Sequence, residues 1–388
     1  MAIDPTRHAR TIAALKDSHY DAVICSSATE VLLLTGYWPV MGASVAIFTA
    51  DGEVKVIVPD DEVELVKKTS SAEIVPYKPA GLHTLESPLT QLHKPLRSVM
   101  ERIALSKAKI GLQLNEGIQP SSYAVSNEFR SSLMCLLQGL LADATFVSCD
   151  DLLETMKAVK TLKELESLQT ASRVASVGFT ELAKSIEPGL RETEIAAKAQ
   201  AAFETTRQAE ILQRSYGYFF CMSGPNSATA DAAYARTRQR VIQEGDLVMI
   251  HANTCGDGYW TDLTRTYTAG RPSARHEEMR LAIDEARAAG LRAIRPGATG
   301  QQVDQATRSV MESRGFGNAF KHAAGHGVGF AAANPNGRPR IHPLSPDVLE
   351  IGMTFNLEPA AYFEGYGGMR HCNVVAVTAD GAQVLTDF

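Results

Sequence analysis

Five side chains in the second half of the sequence have the chemistry to bind a metal ion or to move protons. They are His251, Asp262, His326, Glu358 and Cys372. Carboxylate, imidazole and thiolate groups are the ligands that zinc and iron take from proteins, and His and Glu are common acid–base residues. Each has an ordinary structural explanation when taken alone. A free cysteine, for example, usually packs as a small apolar side chain. Their positions around glycine-rich turns predict that they form one site.

The first two of these residues flank a predicted hairpin turn. Strand-like runs on either side of Gly256-Asp257-Gly258 indicate a β-hairpin. The midpoint of His251 and Asp262 falls inside that turn. We therefore expect the two residues to lie opposite one another, with their side chains on one face of the hairpin.

A second hairpin and a glycine-rich segment carry the other three residues. Gly365 is the midpoint of Glu358 and Cys372, so these two are expected to form a second cross-strand pair. Between the hairpins, the segment HAAGHGVGFAAANP has glycines at alternate positions around His326. Such glycines let another backbone or a ligand approach closely. Their spacing does not match a dinucleotide-binding loop.

The elements that must position this site form the second of two predicted domains. Residues 1–150 alternate helical and strand patterns, with a hairpin signal at Asp51-Gly52, and read as an α/β domain. Leucines at helical spacing predict a connecting helix over residues 150–175. The second domain is therefore expected to span residues 151–388.

The second domain contains a weak internal repeat. A helix, a Pro-Gly step, a short polar turn and a second helix occur around Pro188-Gly189 and again around Pro296-Gly297, 108 residues later. A β-rich region follows each copy. A period this long is not that of a solenoid, and it predicts two related halves packed against each other.

Composition restricts the kind of protein this is. A formal net charge of -6, a pI near 6.0 and 45% hydrophobic residues are typical of a soluble globular protein and give no reason to expect nucleic acid as a partner. We expect no membrane span, because no apolar run is long enough. The six cysteines are scattered without a CxxC pair, which favours a reduced, cytoplasmic protein.

The order of motifs resembles the metallopeptidase family of methionine aminopeptidase and prolidase, whose pita-bread fold creatinase shares. The motifs are LLLTGYWPVMGASVAIF, SIEPGLRETEIA, SGPNSA, GDLVMI…GYWTDLTRTY, GHGVG, GMTFNLEPAAY and GGMRHCNVVAVTADG. The resemblance implies an α+β protein: an N-terminal creatinase-like α/β domain followed by a pita-bread catalytic domain with pseudo-twofold symmetry. It also implies a homodimer.

The resemblance further implies positions for metal ligands. Metallopeptidases of this family bind two divalent ions with Asp, Asp, His, Glu and Glu, and those positions fall here at His251, Asp262, His326, Glu358 and Cys372. Asp262, His326 and Glu358 have the residue type of the family, whereas His251 and Cys372 differ from it. The two histidines that serve peptide substrates in the family fall at Asp231 and at Ala333 or Asn334, so both are replaced.

Charge argues against two ions in this chain. The family uses four carboxylates to balance two dications, whereas two carboxylates and a Cys372 thiolate supply at most three negative charges here. One ion, zinc or ferrous iron, could be held by Asp262, His326, Glu358 and Cys372, with His251 as a further ligand or a supporting residue.

A metal-free site is the other hypothesis, by similarity to creatinase. In that case His326 would be the general acid or base and Glu358 its carboxylate partner, with His251 or His371 assisting. Asp231 stands near the position of the catalytic histidine of creatinase. Residue types do not decide between one ion and none.

The residues expected to bind substrate are Tyr259, Trp260, Arg338 and Arg370, as rim aromatics and carboxylate clamps. The main hypothesis is a hydrolase that cleaves a C–N bond of a small nitrogen compound. The compound would be an amide, amidine or cyclic amidine, as for creatinase or ectoine hydrolases. The alternatives are a metal-dependent Xaa-Pro dipeptidase or aminopeptidase, a lyase, and an inactive binding module on the same fold.

Overall fold

The computed structural model describes residues 4–40, 44–83, 85–103, 105–114, 130–206, 212–231, 236–334 and 337–388. The chain divides into two compact units, residues 1–157 and 158–388. Residues 41–43 of the N-terminal motif quoted above lie outside the described ranges. Within those ranges, no helix is long and apolar enough to cross a membrane.

The N-terminal unit is a six-stranded mixed sheet with helices. The helices are α1 (Pro5–Asp17), α2 (Ala28–Thr35), α3 (Val63–Thr69), α4 (Pro88–Ile103), α5 (Arg130–Leu140) and α6 (Asp150–Ala158). The strands are β1 (Ala22–Cys25), β2 (Val45–Thr49), β3 (Val54–Pro59), β4 (Glu73–Tyr77), β5 (Lys109–Leu112) and β6 (Thr145–Ser148), in the order β4-β3-β2-β1-β5-β6. The predicted hairpin joins β2 and β3, where Gly52 has a φ of 98°.

In the described part of the chain, the second unit consists of four α-helices and three small sheets that pack around a hydrophobic core. The helices are α7 (Leu162–Ala183), α8 (Glu192–Thr206), α9 (Ala274–Ala293) and α10 (Gly300–Ser313). The strands are β7 (Ser215–Ser223), β8 (Leu247–Gly256), β9 (Tyr259–Thr268), β10 (Thr354–Leu357), β11 (Ala360–Phe363), β12 (Gly367–Arg370), β13 (Asn373–Thr378) and β14 (Gly381–Val384). The sheets are β7-β8-β9, β10-β13-β14 and β11-β12.

The single connecting helix predicted over residues 150–175 is wrong. The helix breaks after Ala158, and α7 begins at a capping box in which Thr161 Oγ1 accepts a hydrogen bond from Glu164 N. The Glu164 carboxylate in turn accepts one from Thr161 N. A capping box marks the start of a helix, because its side chains satisfy backbone N–H groups that have no partner inside that helix.

The predicted internal repeat is confirmed by equivalent contacts in the two halves. Gly189 and Gly297 both have positive φ, 95° and 85°. Their N–H groups donate to equivalent carbonyls, at Ile242 and Leu349, both over 2.9 Å. Isolated bridges join Arg191 to Val241 and Thr299 to Val348, again at matching positions. These matched contacts are what a pseudo-twofold repeat of the two halves predicts.

The register of the first hairpin differs from the prediction by two residues. His251 lies opposite Thr264, and Asp262 lies opposite Asn253. The turn is formed by Asp257 and Gly258, which have φ values of 47° and 92°. Positive φ at both positions is the signature of a type I′ turn, which Asp-Gly favours. Because a shift of two residues keeps side chains on the same face, His251 and Asp262 still meet diagonally.

The second hairpin has the predicted register but an interrupted ladder. Ala360 pairs with Arg370 in the outer part and Leu357 with Asn373 in the inner part, both symmetric about Gly365. Between these two ladders the two strands are not paired with each other. Glu358 N donates to Ala324 O over 2.9 Å, and Cys372 N donates to Thr264 O over 3.0 Å. The two residues therefore face neighbouring segments instead of pairing with each other.

The glycine-rich segment packs against other backbones, as its alternating glycines predicted. A Cβ on Gly325 would lie 1.8 Å from Asn356 O, and one on Gly327 would lie 2.4 Å from Arg338 O. These contacts hold His326 between two backbones. Only a residue without a side chain allows that approach.

We expect Gly325→Ala to destabilise the protein by about 2 kcal/mol or more, since its methyl group would displace backbone in a packed interior. Urea denaturation measures the change. Gly139→Ala, in α5 with no atom within 4 Å of the added Cβ, is the control and should be neutral or stabilising. Equal stability of Gly325→Ala and the wild type would contradict the packing described here.

Candidate active site

All five sequence-predicted residues converge on one point in the second unit, where His251 Nδ1 lies 3.6 Å from Asp262 Oδ1. His326 Nε2 lies 3.6 Å from Asp262 Oδ2 and 4.0 Å from Glu358 Oε1. Cys372 Sγ lies 4.0 Å from Asp262 Oδ1 and donates to the backbone carbonyl of Asp262 over 3.2 Å. The side chain of His326 is 25% exposed, whereas those of Asp262 and Glu358 are almost buried. The His326 imidazole is therefore partly accessible to solvent, and the carboxylates of Asp262 and Glu358 next to it are buried.

Asn356 holds His326 in place from β10. Its Oδ1 accepts a hydrogen bond from His326 N over 2.7 Å, and its Nδ2 lies 3.1 Å from His326 Nε2. On the other side of the ring, Nδ1 lies 3.2 Å from Gly327 O. The Gly327 carbonyl can only accept, so Nδ1 carries a proton and Nε2 faces the carboxylates.

A buried guanidinium lies beside this cluster. Arg370, 8% exposed, donates from Nε to Thr264 Oγ1 over 3.0 Å and from Nη2 to His251 Nδ1 over 3.1 Å. Its Nη1 lies 3.9 Å from Glu358 Oε2. The guanidinium thus contacts both His251 and Glu358, and His251 Nδ1 also lies 3.0 Å from Thr264 Oγ1.

His251 is a neutral hydrogen-bond acceptor in this arrangement. Burial lowers its pKa to about 4, and the positive charge of Arg370 adds to that effect against the opposing charge of Asp262. Arginine can only donate, so His251 Nδ1 must be the unprotonated nitrogen. The lone pair of His251 Nδ1 accepts a hydrogen bond from Arg370 Nη2. Thr264 Oγ1 and Asp262 Oδ1 also lie 3.0 and 3.6 Å from His251 Nδ1, and a metal-binding or catalytic role of His251 stays a prediction.

His326 is held in the opposite state. Burial disfavours its charge, but Asp262 and Glu358 outweigh burial and raise its pKa to about 9. The Asn356 amide favours an unprotonated Nε2, yet one neutral hydrogen bond is weaker than two carboxylate charges. Burial raises the pKa of Asp262, but His251, His326 and Arg370 reverse this and lower it.

A pH-dependent stability follows for the metal-free protein. The pKa of His326 is about 9 when folded and roughly 6.5 when unfolded. Its stabilisation is therefore complete below about pH 6.5 and is lost as the pH rises through 9. The difference in unfolding free energy between the wild type and His326→Gln should fall by up to about 3 kcal/mol from pH 6 to pH 10. Urea denaturation of chelator-treated protein measures it, and a difference independent of pH would contradict the assignment.

Two side chains that the sequence analysis missed extend the cluster into the core. His322 Nε2 lies 3.0 Å from the hydroxyl of Tyr362, which also accepts a hydrogen bond from Arg370 Nη1 over 3.3 Å. His322 stands four residues before His326, and Tyr362 stands four residues after Glu358. Both spacings were visible in the sequence, but neither residue had a predicted partner.

His371 is not brought into the cluster. Burial, together with the positive charges of Arg265 and Arg287, lowers its pKa to about 3. Cys372, the next residue, faces Asp262, and neighbouring residues in an extended chain point to opposite sides. The expectation that His371 assists catalysis is therefore not supported by the structure.

The other predicted catalytic and substrate residues have structural contacts of their own. Asp231 Oδ2 lies 3.6 Å from Lys321 Nζ. The ring of Tyr259 packs on Phe330 and that of Trp260 on Tyr216, with centroids 5.5 and 5.2 Å apart. Arg338 contributes positive charge at Asp347, and Arg370 is committed to the hydrogen bonds given above. None of these contacts tests a role in substrate binding.

The fold and the site together define a pita-bread protein with an N-terminal creatinase-like domain. Residues 166–379 match metallopeptidase family M24, and residues 7–159 match the creatinase/prolidase N-terminal domain. The chain belongs to metallopeptidase family M24, and the family resemblance seen in its motifs is confirmed.

Several relatives are dipeptidases by name. A probable dipeptidase PepE of Mycobacterium bovis is 33% identical over 246 residues, which cover 62% of this chain and 63% of that protein. An Xaa-Pro dipeptidase of Pyrococcus furiosus is 26% identical over 97% of this chain and 96% of its own length. The solved Xaa-Pro dipeptidase of Bacillus anthracis superposes with a TM-score of 0.79 at 24% identity, over 99% of this chain and 97% of that one.

Membership of a metallopeptidase family supports a divalent metal ion in general and does not say which. The two-ion set of the family does not fit this site, because His251 and Cys372 replace two carboxylates and Arg370 adds a buried positive charge beside Asp262 and Glu358. Across the described ranges, no group of three or more His, Cys, Asp or Glu side chains is arranged to hold an ion. Cys372 Sγ donates to the backbone carbonyl of Asp262, and Asn356 Nδ2 lies 3.1 Å from His326 Nε2.

Proposed function

We propose that the protein is a hydrolase that cleaves the C–N bond of a small peptide-like amide, with dipeptides as the first substrates to test. The observation that carries the proposal is the cluster of Asp262, His326 and Glu358, with His326 at 3.6 and 4.0 Å from the two carboxylates. The names of the relatives support dipeptides over other amides.

The side chains have complementary acid–base roles in this proposal. Glu358 is the base that takes a proton from the attacking water, and His326 is the acid that protonates the departing nitrogen. The carbonyl carbon gains the hydroxyl group of water as its bond to nitrogen breaks. Asp262 keeps His326 oriented and protonated, and Arg370 Nη1 lies 3.9 Å from Glu358 Oε2. Glu358 and His326 are close enough to act on one substrate.

A single ion is a separate part of the proposal. Its ligands would be Asp262, His326, Glu358 and Cys372, and a mixed nitrogen, oxygen and sulfur set favours zinc, or ferrous iron, over harder ions. Binding would require Cys372 to lose the proton that it now donates to Asp262 O. The homodimer and the cytoplasmic location expected from the sequence also stay predictions.

A second candidate is a hydrolase for a small amidine or cyclic amidine. It is favoured by the replacement of both histidines that serve peptide substrates in related enzymes. One of these positions is Asp231, which is paired with Lys321 at 3.6 Å. The other falls at Ala333 or Asn334. A site altered in this way has lost groups that a dipeptide would use.

One substrate panel separates these candidates. The purified protein, with and without added zinc, manganese or ferrous iron, is incubated with Xaa-Pro dipeptides, other dipeptides, creatine and a cyclic amidine, and products are followed by mass spectrometry. We expect both halves of at least one dipeptide to appear, and Asp262→Asn to abolish them. Cleavage of only the amidines would select the second candidate. No product from any substrate would favour the binding-module alternative.

A further inference from the structure

An ion pair on α10 lies against the backbone that leads to the candidate site. Asp304 and Arg308 are four residues apart on this helix, so their side chains lie on one face. Arg308 Nε donates to Asp304 Oδ2 over 2.8 Å, and Arg308 Nη2 donates to Asp304 Oδ1 over 2.9 Å. The side chain of Asp304 is 1% exposed and that of Arg308 is 22% exposed. Two parallel hydrogen bonds in a largely buried pair fix the orientation of both side chains.

This ion pair holds the segment from Phe320 to Ala324 by its peptide groups. Asp304 Oδ1 accepts a hydrogen bond from Ala324 N over 2.9 Å. Arg308 donates from Nη1 to Phe320 O over 3.2 Å and from Nη2 to His322 O over 2.9 Å. The segment forms no helix or strand, and buried peptide groups outside regular structure need other hydrogen-bond partners. The two side chains of α10 bond three of these groups.

Ala324 connects the ion pair to the candidate site. Its N–H group donates to Asp304, and its carbonyl accepts a hydrogen bond from Glu358 N over 2.9 Å. His326 follows two residues later, and its own N–H group donates to Asn356 Oδ1 over 2.7 Å. A displacement of Ala324 would therefore move the backbones of both Glu358 and His326.

We propose that Asp304 and Arg308 are positioning residues, which keep His326 and Glu358 at the separation that proton transfer needs. They act through the backbone of Ala324 and not on the substrate. A displacement of about 1 Å in an active site can lower a rate about a hundredfold. Loss of the ion pair should therefore lower kcat and leave KM nearly unchanged. The inference deepens the proposed function, and its kinetic test rests on that function.

Asp304→Asn is the first variant to test. The amide keeps the size of the side chain, but its Nδ2 group can only donate and would face the N–H groups of Arg308. We expect kcat for the best dipeptide of the substrate panel to fall at least about tenfold, with KM close to the wild-type value, when both are measured well below the unfolding temperature.

Val303→Ala is the matched control for stability. Val303 precedes Asp304 on α10 and packs in the hydrophobic core. Shortening its side chain destabilises the protein but leaves the hydrogen bonds of Asp304 and Arg308 in place, so kcat should stay at the wild-type value. An equal fall of kcat in Val303→Ala, or wild-type kcat in folded Asp304→Asn, would overturn the proposal.

Hydrogen exchange of the backbone, followed by mass spectrometry, tests the inference without a substrate. The peptide that contains Ala324 and His326 should exchange at least about tenfold faster in Asp304→Asn than in the wild type, because the Ala324 amide loses a charged acceptor. Val303→Ala should leave that peptide at the wild-type rate. Unchanged exchange in folded Asp304→Asn would overturn the inference even if dipeptides are cleaved. Faster exchange in a protein that cleaves no dipeptide would support the backbone contact and contradict the proposed reaction alone.

Arg308→Lys takes the place of Asp304→Asn if that variant does not fold. It keeps the positive charge, but a single ammonium group cannot replace the fork that reaches Asp304, Phe320 O and His322 O together. We expect a fall in kcat and faster exchange of the same peptide. Wild-type kcat together with wild-type exchange in folded Arg308→Lys would overturn the proposal.

Discussion

Glu358→Gln is expected to lower kcat for the proposed hydrolysis by at least about a hundredfold, because the reaction would lose its general base. The substitution keeps the size and shape of the side chain. The backbone of Glu358 is fixed independently by its N–H group, which donates to Ala324 O over 2.9 Å, so the fold should be retained. Steady-state kinetics on the best dipeptide of the substrate panel measure the effect.

Glu364→Gln is the matched control for this prediction. Glu364 lies in the exposed turn between β11 and β12, so its replacement should leave kcat and KM at wild-type values. A Glu358→Gln protein that keeps more than a tenth of wild-type kcat would show that Glu358 does not move the proton. The same circular dichroism spectrum for both variants would show that a loss of activity is not a loss of fold.

Arg370→Met is expected to have the largest effect on stability. Its guanidinium is buried, and removing it leaves Asp262 and Glu358 without their fixed counter-charge. Removing one partner from a buried charge network costs about 3–5 kcal/mol, which would be a large part of the stability of an ordinary domain. The change in unfolding free energy is measured by urea denaturation of chelator-treated protein.

Arg280→Met shows what a surface arginine contributes by comparison. Arg280 lies 2.9 Å from both Glu277 and Asp284 on α9, and its side chain is 52% exposed. Such a pair contributes about 0.2–1 kcal/mol, so this variant should remain close to the wild type. If Arg370→Met costs no more than Arg280→Met, the carboxylates do not depend on Arg370 for their charge balance.

The sequence was sufficient for the fold, because its ordered motifs and local turn signals are visible in it, but it did not identify His322 and Tyr362 as neighbours of the candidate site. The Pro-Gly steps identified the repeat, and the glycines around His326 predicted close backbone packing that the structure contains. The hairpin register was harder. Gly256-Asp257-Gly258 contains two overlapping two-residue turns, and moving the turn by one residue moves each cross-strand partner by two.

The role of Arg370 could not be predicted in the same way. Its partners come from β9, β8 and β11, at Thr264, His251 and Tyr362. Spacing relates β8 to β9 within one hairpin, but nothing in the sequence relates that hairpin to the one that carries Tyr362 and Arg370, and the contacts arise only when the two pack together. The protonation states of His251 and His326 depend on those contacts too. The pKa of His251 is lowered and that of His326 is raised.

Reaction in ¹⁸O-labelled water shows whether the protein adds water across the C–N bond. A hydrolase adds water across the C–N bond, so the carboxylate product of the best substrate should carry one ¹⁸O atom from solvent, and Glu358→Gln should slow its appearance at least about a hundredfold. A product formed without ¹⁸O would identify a lyase or transferase instead. Labelled product that forms equally fast in the wild type and in Glu358→Gln would contradict the site described here.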